Sequence, residues 1–138
     1  MPQVYFLCTG NSCRSQMAEG FAHQYLPKWR VDSAGIEVHG LNPRAVQVMA
    51  ERDIDISHAV SKRIDLAYLQ QCDLVVTLCG DARDRCPRLP ASVKHEHWDF
   101  IDPAQATGTD DQIMAIFRNV RDGIDQRVRQ LASHETAI

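Results

Sequence analysis

The sequence predicts an α/β fold in which helices cover both faces of a four-stranded parallel sheet, and three observations support this prediction. Strand-like apolar runs alternate with helical patterns along the chain, which is typical of successive β-α-β units. The run DLVVTLC, residues 73–79, is rich in apolar and β-branched residues, as a strand covered on both faces requires. The 138 residues contain no repeat, linker or low-complexity segment, so a single domain spanning 1–138 is expected.

The N-terminal half supplies two predicted strands and two predicted helices. Residues 3–8, QVYFLC, form the first strand, and residues 30–34 form the second. Asn42 and Pro43 are typical of an N-cap and a first helical position, which places the second helix in PRAVQVMAERD, residues 43–53. The first helix ends at Pro27, and its apolar stripe consists of Met17, Ala18, Phe21, Ala22, Tyr25 and Leu26.

The C-terminal half is expected to complete the sheet and cover it. SKRIDLAYLQQ, residues 61–71, indicates a short helix, and strands are predicted at 73–79 and 94–98. Because ligands of such folds bind at the carboxyl ends of the strands, Cys8 and Cys79 are expected at the ligand-binding edge. The last helix begins near Asp110 and buries one stripe, which consists of Ile113, Phe117, Val120, Ile124, Val128 and Leu131.

Composition excludes several classes of function. The 18 acidic and 15 basic residues give a formal charge of −3 without long blocks of either sign, so neither nucleic acid nor an anionic membrane is an expected partner. The N-terminus lacks the features of a signal peptide, and no apolar run approaches the ~18 residues of a membrane span. The sequence therefore predicts a cytoplasmic protein.

Five cysteines make an odd count in a compartment that is expected to be reducing. A static disulfide framework is therefore not expected. Thiol chemistry, metal binding and simple burial all remain open at this point. The five are Cys8, Cys13, Cys72, Cys79 and Cys86.

The turn CTGNSCRS, residues 8–15, which we call the anion loop, joins the first strand to the first helix. Such a loop aims several backbone N–H groups at one point, and the helix dipole adds positive potential there. Arg14 can hold two oxygens of a tetrahedral anion, and Gly10 permits an unusual backbone path. The same field favours a Cys8 thiolate as nucleophile, with the Ser15 hydroxyl as hydrogen-bond donor to its sulfur.

A cysteine and an arginine at this spacing also arise by chance, and buried cysteines are often merely small apolar residues. The preceding strand, the following helix and the polar loop interior favour the functional interpretation. The residues expected to surround the anion are Thr9, Gly10, Asn11, Ser12, Cys13, Arg14 and Ser15.

CTGNSCRSQMAEG resembles the Cys-x5-Arg-Ser loop of the low-molecular-weight protein tyrosine phosphatases, and more closely that of the arsenate reductases that share their fold. DSAGIEVHGLNPRAV, DIDISHAVSK, DLVVTLCGDARDRCPRLP and EHWDFIDPA resemble successive landmarks of thioredoxin-coupled arsenate reductases, from Val4 to about Ala104. The resemblance implies one catalytic domain of the low-molecular-weight phosphatase-like fold, acting as a monomer without a bound cofactor or metal.

The resemblance also implies residue roles for the reduction of arsenate to arsenite. Cys8 is the nucleophile, Arg14 the anion clamp and Asp102 the general acid. Cys79 and Cys86 form the redox relay: Cys79 attacks the Cys8 sulfur as arsenite leaves, and Cys86 then attacks Cys79. Reduced thioredoxin resets the last disulfide, although related reductases on this fold use glutathione and glutaredoxin instead.

Two other classes of function stay open. A phosphotyrosine phosphatase needs Cys8, Arg14 and Asp102 but leaves the relay cysteines without a role, and Asp before Pro is also a common turn opener. A zinc module would use Cys8, Cys13, Cys79 and Cys86, but their spacings differ from the usual ones and Arg14 would repel the metal.

Several other residues receive structural interpretations. Cys13 and Cys72 match no relay position and are expected to be structural. Four histidines are expected to lie in loops or in packing contacts rather than to bind a ligand, since none has helical metal spacing: His39, His58, His95 and His97.

Lys62 departs from the family pattern. Some related reductases hold a potassium ion beside the anion loop, and Asn11, Glu19 and Ser33 resemble its ligands, but Lys62 stands where a carboxylate completes that site. We therefore expect the Lys62 ammonium to replace the ion and to bond Glu19 and Asn11. The alternative is an exposed lysine on a solvated helix end.

Overall fold

The computed structural model describes residues 1–136 and contains one parallel sheet with strand order β2-β1-β3-β4. This architecture confirms the fold class predicted from the sequence. The strands are β1 (Gln3–Cys8), β2 (Arg30–Gly35), β3 (Leu74–Thr77) and β4 (Lys94–His97).

Five α-helices of the described chain flank the sheet, and a short 3₁₀ helix, Pro103–Gln105, precedes the last of them. The C-terminal helix buries the apolar stripe that the sequence predicted, with Ile113 half-buried at its start. None of the helices within residues 1–136 combines the length and the apolar content needed to cross a membrane. The helices are α1 (Arg14–Tyr25), α2 (Pro43–Ala50), α3 (Leu66–Gln70), α4 (Gly80–Arg85) and α5 (Asp110–Thr136).

The central strand β1 is buried along its whole length because both faces of the sheet are covered. Tyr5 and Phe6 are successive residues and therefore point to opposite faces. The ring of Tyr5 lies 4.5 Å from that of Tyr68 on α3, whereas the ring of Phe6 lies 5.8 Å from that of Trp98. The core thus extends on both sides of β1, whose last residue is Cys8.

Several elements are shorter in the structure than the sequence predicted. The helix expected over 61–71 begins only at Leu66, because the Asp65 side chain accepts hydrogen bonds from the N–H groups of Ala67 and Tyr68 and caps it there. The segment before it is extended, and Arg63 bridges Gly35. Strand β3 also ends earlier than predicted, since Cys79 is already the N-cap of α4.

Two further elements end earlier than predicted. Helix α2 ends at Ala50 rather than near Asp53, whose φ of 59° lies in the left-handed region. Strand β4 ends at His97, one residue before the predicted end.

Candidate active site

The anion loop runs from the end of β1 into α1 and holds the Cys8 thiol in a buried position. Cys8 Sγ lies 2.8 Å from Ser15 Oγ, which is the pairing that the sequence predicted. Asn11 Nδ2 donates to the same Ser15 oxygen at 2.8 Å. Because Ser15 Oγ accepts this bond, its own proton is available to the Cys8 sulfur, and a thiolate there would be stabilised.

Asn11 fixes the path of the loop. Its φ of 49° lies in the left-handed region, and its side chain donates to Ser33 Oγ at 3.0 Å. Its Oδ1 accepts from the backbone N–H of Lys62 at 3.0 Å and from Gln16 Nε2 at 3.1 Å. These bonds compensate for an unusual backbone conformation by tying the loop to three other segments.

Gly10 is required for a different reason from the one predicted. The residue in the left-handed region is Asn11, whereas a β-carbon on Gly10 would lie 2.2 Å from His39 Nδ1. Glycine is therefore needed at this position because the His39 ring approaches the loop backbone closely.

Arg14 and Asp102 face each other across the mouth of the loop. Arg14 Nη1 donates to the Phe100 carbonyl at 3.1 Å, and Nη2 lies 3.7 Å from Asp102 Oδ2. Asp102 also caps the 3₁₀ helix, since its Oδ1 accepts from the N–H of Ala104 at 3.0 Å. Asp102 is thus a turn opener, as the structural alternative held, and it also stands beside the guanidinium.

A cavity of about 230 Å³ opens at the loop. Four of the seven residues predicted to surround the anion line this cavity, and the other three, Thr9, Asn11 and Ser15, do not. The last two support the loop from behind, and Thr9 Oγ1 lies 3.3 Å from Cys79 Sγ. The lining consists of Cys8, Gly10, Ser12, Cys13, Arg14, His39, Asn42, Asp102, Ala104 and Gln105.

The two other candidate redox cysteines stand at opposite ends of α4. Cys79 is its N-cap, and the N–H of Ala82 donates to Cys79 Sγ at 3.3 Å. Cys86 is its C-cap and is half-buried, and burial raises the pKa of its thiol. The helix therefore keeps these two free thiols apart, with Cys79 beside Thr9 of the anion loop.

Cys13 and Cys72 are buried thiols. Burial raises the pKa of Cys13 to about 12 and that of Cys72 to about 11, so both are protonated at neutral pH. Cys72 donates to the Tyr68 carbonyl at 3.2 Å, away from the cavity. Cys13 lines the cavity but has no thiolate character there, in agreement with the structural interpretation of both residues.

The prediction for the Lys62 side chain was wrong. Its Nζ forms an ion pair at 2.7 Å with Oδ1 of Asp32, which lies on strand β2. The Lys62 side chain is substantially exposed. Only the backbone N–H of Lys62 bonds Asn11. Glu19 instead accepts from Ser33 Oγ at 2.6 Å and bonds His23 Nε2 at 3.0 Å.

The electrostatics of Glu19 reflect these partners. Burial acts to raise the pKa of its carboxyl group, but the hydrogen bonds from His23 and Ser33 and the charge of Lys62 together lower it. Glu19 is therefore ionised at neutral pH, with the Lys62 ammonium acting on it at a distance rather than by direct contact.

Sequence reasoning missed four residues of the cavity wall, which are His39, Asn42, Ala104 and Gln105. His39 was assigned to a loop, and Asn42 was recognised only as the cap of α2, which it is: its Oδ1 accepts from the N–H of Arg44 at 2.9 Å. The motif HGLNP, which carries the first two, was the available signal.

The structure also shows the surroundings of the residues considered as metal ligands and of two histidines. Across residues 1–136, no group of three or more His, Cys, Asp or Glu side chains is arranged to hold a metal ion. His95 and His97 lie on β4 and both bond Thr77 Oγ1, at 2.9 and 2.8 Å; His95 is exposed and His97 is half-buried.

Comparison with known proteins agrees with this geometry. The family model for the low molecular weight phosphotyrosine protein phosphatases matches residues 3–137. The arsenate reductase of Bacillus subtilis (strain 168) is 60% identical over 130 residues, which cover 94% of this chain and 94% of that protein.

Two solved structures share the fold at substantial identity. One, described as an arsenate reductase in the phosphate binding state, is 36% identical with a TM-score of 0.73 and covers 97% of this chain and 98% of its own. Another, described as an arsenate reductase in the oxidized state, is 32% identical with a TM-score of 0.80 and also covers 97% of this chain and 98% of its own. The chain therefore belongs to the low molecular weight phosphotyrosine protein phosphatase family.

Proposed function

We propose that this protein reduces arsenate to arsenite through Cys8, Cys79 and Cys86, and that reduced thioredoxin resets the relay. Support for reduction rather than hydrolysis comes from one feature above all. A helix with a cysteine at each end stands beside the anion loop, with Cys79 Sγ 3.3 Å from the hydroxyl of Thr9, the residue after Cys8. The relatives named arsenate reductases support the same assignment.

Arsenate binds in the cavity at the anion loop. The N-terminus of α1 and the loop N–H groups attract the anion, and Arg14 binds its oxygens. The guanidinium has five N–H donors, and the contacts with Phe100 and Asp102 leave several of them available for substrate. The buried position of Arg14 strengthens its attraction for an anion.

The first chemical step is attack of the Cys8 thiolate on arsenic, which forms an S–As bond and expels one oxygen. Ser15 stabilises the attacking thiolate through its hydroxyl. Asp102, which stands beside Arg14 at the cavity, donates the proton that lets the oxygen leave as water.

The second step transfers two electrons. The Cys79 thiolate attacks the Cys8 sulfur, a disulfide forms, and the electron pair of the broken S–As bond stays on arsenic, which leaves as arsenite. Cys86 then attacks the Cys79 sulfur and releases the Cys8 thiolate. A dithiol protein, thioredoxin in this proposal, reduces the Cys79–Cys86 disulfide and becomes oxidised in turn.

Phosphotyrosine hydrolysis is the second candidate function, and the family assignment favours it. The cavity argues against it, because about 230 Å³ is small beside the roughly 300–1,000 Å³ of typical ligand pockets. The lining, all of it within the described chain, includes no Phe, Tyr or Trp to stack on a phosphotyrosine ring. An inorganic oxyanion fits the site better.

The test is arsenate-dependent NADPH oxidation with purified protein, run with thioredoxin and thioredoxin reductase in one arm and with glutathione, glutaredoxin and glutathione reductase in the other. Hydrolysis of p-nitrophenyl phosphate is measured in parallel. We expect turnover in the thioredoxin arm and hydrolysis that is slow by comparison. Turnover confined to the glutaredoxin arm would replace the donor, and hydrolysis without arsenate turnover would favour the phosphatase.

A further inference from the structure

His39 lies on a segment that follows the anion loop closely. Beyond the end of β2, three backbone N–H groups donate to successive carbonyl groups of the chain from Cys8 to Gly10. The bonds are Ile36 to Cys8 at 3.1 Å, Glu37 to Thr9 at 2.8 Å and His39 to Gly10 at 3.0 Å. The pairing of β1 with β2 is thereby prolonged along the loop. The main chain of His39 is thus fixed relative to the Cys8 thiol.

The imidazole of His39, half of which is exposed, has contacts on two sides. Its Nε2 lies 2.7 Å from Glu37 Oε2, and the ring occupies the space in which a β-carbon of Gly10 would otherwise lie. The other oxygen of Glu37 lies 3.7 Å from Arg85 Nη1 at the end of α4. The His39 ring thus bonds Glu37 on one side and packs against the backbone of Gly10 on the other.

The rest of the cavity mouth is equally constrained. Asn42 and Asp102 both line the cavity, and each uses a side-chain oxygen to cap a helix. Neither side chain can turn away without losing its capping bond. The side chains on both sides of an anion bound at the loop are therefore held in position by hydrogen bonds.

We propose that His39, held by Glu37, is a specificity-determining residue that walls the cavity above Gly10 and excludes oxyanions bearing an organic substituent. This inference rests on the proposed function, since it explains how a phosphatase-like loop takes arsenate in preference to phosphate esters. Glu37 is a positioning residue, which acts only through the His39 ring.

The test measures binding without chemistry, in a Cys8→Ser background. Calorimetry gives the dissociation constants of inorganic phosphate and of phenyl phosphate with and without His39→Ala. We expect the added substitution to improve phenyl phosphate relative to inorganic phosphate by about tenfold, the effect of a small change in pocket shape. A ratio that does not move overturns the proposal, as does a background that binds no phosphate.

Four further variants separate an effect on specificity from general damage to the fold. His58→Ala removes an exposed histidine that does not line the cavity and should leave the ratio unchanged. Glu37→Ala should shift the ratio in the same direction as His39→Ala, whereas Glu37→Gln, which keeps an acceptor for the ring, should restore it. The effects of Glu37→Ala and His39→Ala should not add in the double variant, and additive effects would contradict the positioning role.

This design keeps the two proposals distinguishable. A protein that fails to reduce arsenate with either donor system contradicts the proposed function, yet its ratio of dissociation constants still reports on the His39 wall. Conversely, a protein that reduces arsenate while His39→Ala leaves the ratio unchanged retains its function and loses only this inference. Circular dichroism of each variant confirms that the fold is retained.

Discussion

At the scale of single residues, the cysteines differ by their surroundings rather than by their chemistry. Cys8 contacts a serine hydroxyl that also accepts a hydrogen bond from Asn11, and Cys79 contacts a threonine hydroxyl and a backbone N–H. Cys72 Sγ accepts a hydrogen bond from Gln3 Nε2 at 3.6 Å and Cys13 Sγ lies 3.8 Å from Ser12 Oγ, yet burial outweighs these contacts and raises the pKa of both thiols. The surroundings of Cys13 and Cys72 thus favour the protonated thiol, in agreement with the structural interpretation of both residues.

The proposed relay predicts unequal effects of cysteine substitutions. Cys8→Ser should abolish both arsenate reduction and hydrolysis of p-nitrophenyl phosphate, because both need the nucleophile. Cys79→Ala and Cys86→Ala should abolish thioredoxin-coupled turnover but leave hydrolysis, which requires only the anion loop and Asp102. The coupled NADPH assay and the hydrolysis assay measure the two activities. Normal arsenate turnover by Cys86→Ala would contradict the relay, and Cys72→Ala is the matched control.

The hydrogen bond from Ser15 predicts a second effect at this scale. Ser15→Ala removes the hydroxyl that lies 2.8 Å from Cys8 Sγ, and a bond to a charged group contributes about 1.5–3 kcal/mol. We expect kcat/KM for arsenate to fall about ten- to hundredfold. Steady-state kinetics measure this change, with the exposed Ser57→Ala as control. Equal losses in both variants would show that the bond to the sulfur is unimportant.

At the scale of elements, α4 has the central part in the proposed mechanism. Cys79 and Cys86 cap its two ends, and seven positions of helix correspond to ~10.5 Å of axial rise. A disulfide needs Cα atoms ~4.4–6.8 Å apart. Helix α4 must therefore unwind or loop out before these cysteines can pair, and its exposed charged residues tolerate that change in water.

Hydrogen exchange should detect this unwinding. Backbone amides of α4, Gly80–Arg85, should be less protected in the oxidised protein than in the reduced protein, because the helix cannot persist with the disulfide. Helix α2, Pro43–Ala50, serves as the internal reference, since no proposed step involves it. The comparison is made by mass spectrometry on both redox forms. Equal protection of α4 in the two forms would rule out the conformational change.

At the scale of the whole molecule, Asp125 connects α1, α5 and the turn that follows α2. This buried residue of α5 accepts hydrogen bonds from Tyr25 on α1 at 2.7 Å, from Arg52 after α2 at 2.6 Å, and from Arg129 on α5 at 3.0 Å. Burial acts to raise the pKa of Asp125, but these three partners outweigh it and lower the pKa below its ordinary value.

Asp125→Asn should lower the free energy of unfolding by about 2 kcal/mol, a value that allows for the partial exposure of Arg52. A carboxyl group with a lowered folded-state pKa contributes stability that is fully present above its unfolded pKa, about 3.9, and is lost as pH falls through the folded pKa. Below pH about 4, wild type should therefore lose stability more steeply than the variant.

Urea unfolding at several pH values measures both effects. Asp110→Asn is the control, because Asp110 is largely exposed and pairs only at the surface with Arg44. An exposed pair of this kind contributes about 0–1 kcal/mol. Equal losses of stability in the two variants, or parallel pH profiles for Asp125→Asn and wild type, would contradict the role given to Asp125.

The resemblance to a known family supplied the proposed roles of Asp102, Cys79 and Cys86, whereas the sequence by itself determined the order of strands and helices along the chain and the anion loop. Those features depend on neighbours in sequence: apolar periodicity, a cap such as Asn42, and a loop that places Cys8 and Arg14 in one turn. The sequence predicted that Gly10 permits an unusual backbone path, but the close approach of His39 to Gly10 cannot be read from the loop alone.

Only the tertiary structure decided the partners that come from distant segments. It paired Lys62 with Asp32 rather than with Glu19, and it brought His39 and Gln105 to the same cavity as Cys8. A charged side chain takes the nearest opposite charge that the folded chain offers, and a cavity wall forms where loops from separate strands meet. Both depend on how the strands are arranged in the sheet, which local sequence patterns do not contain.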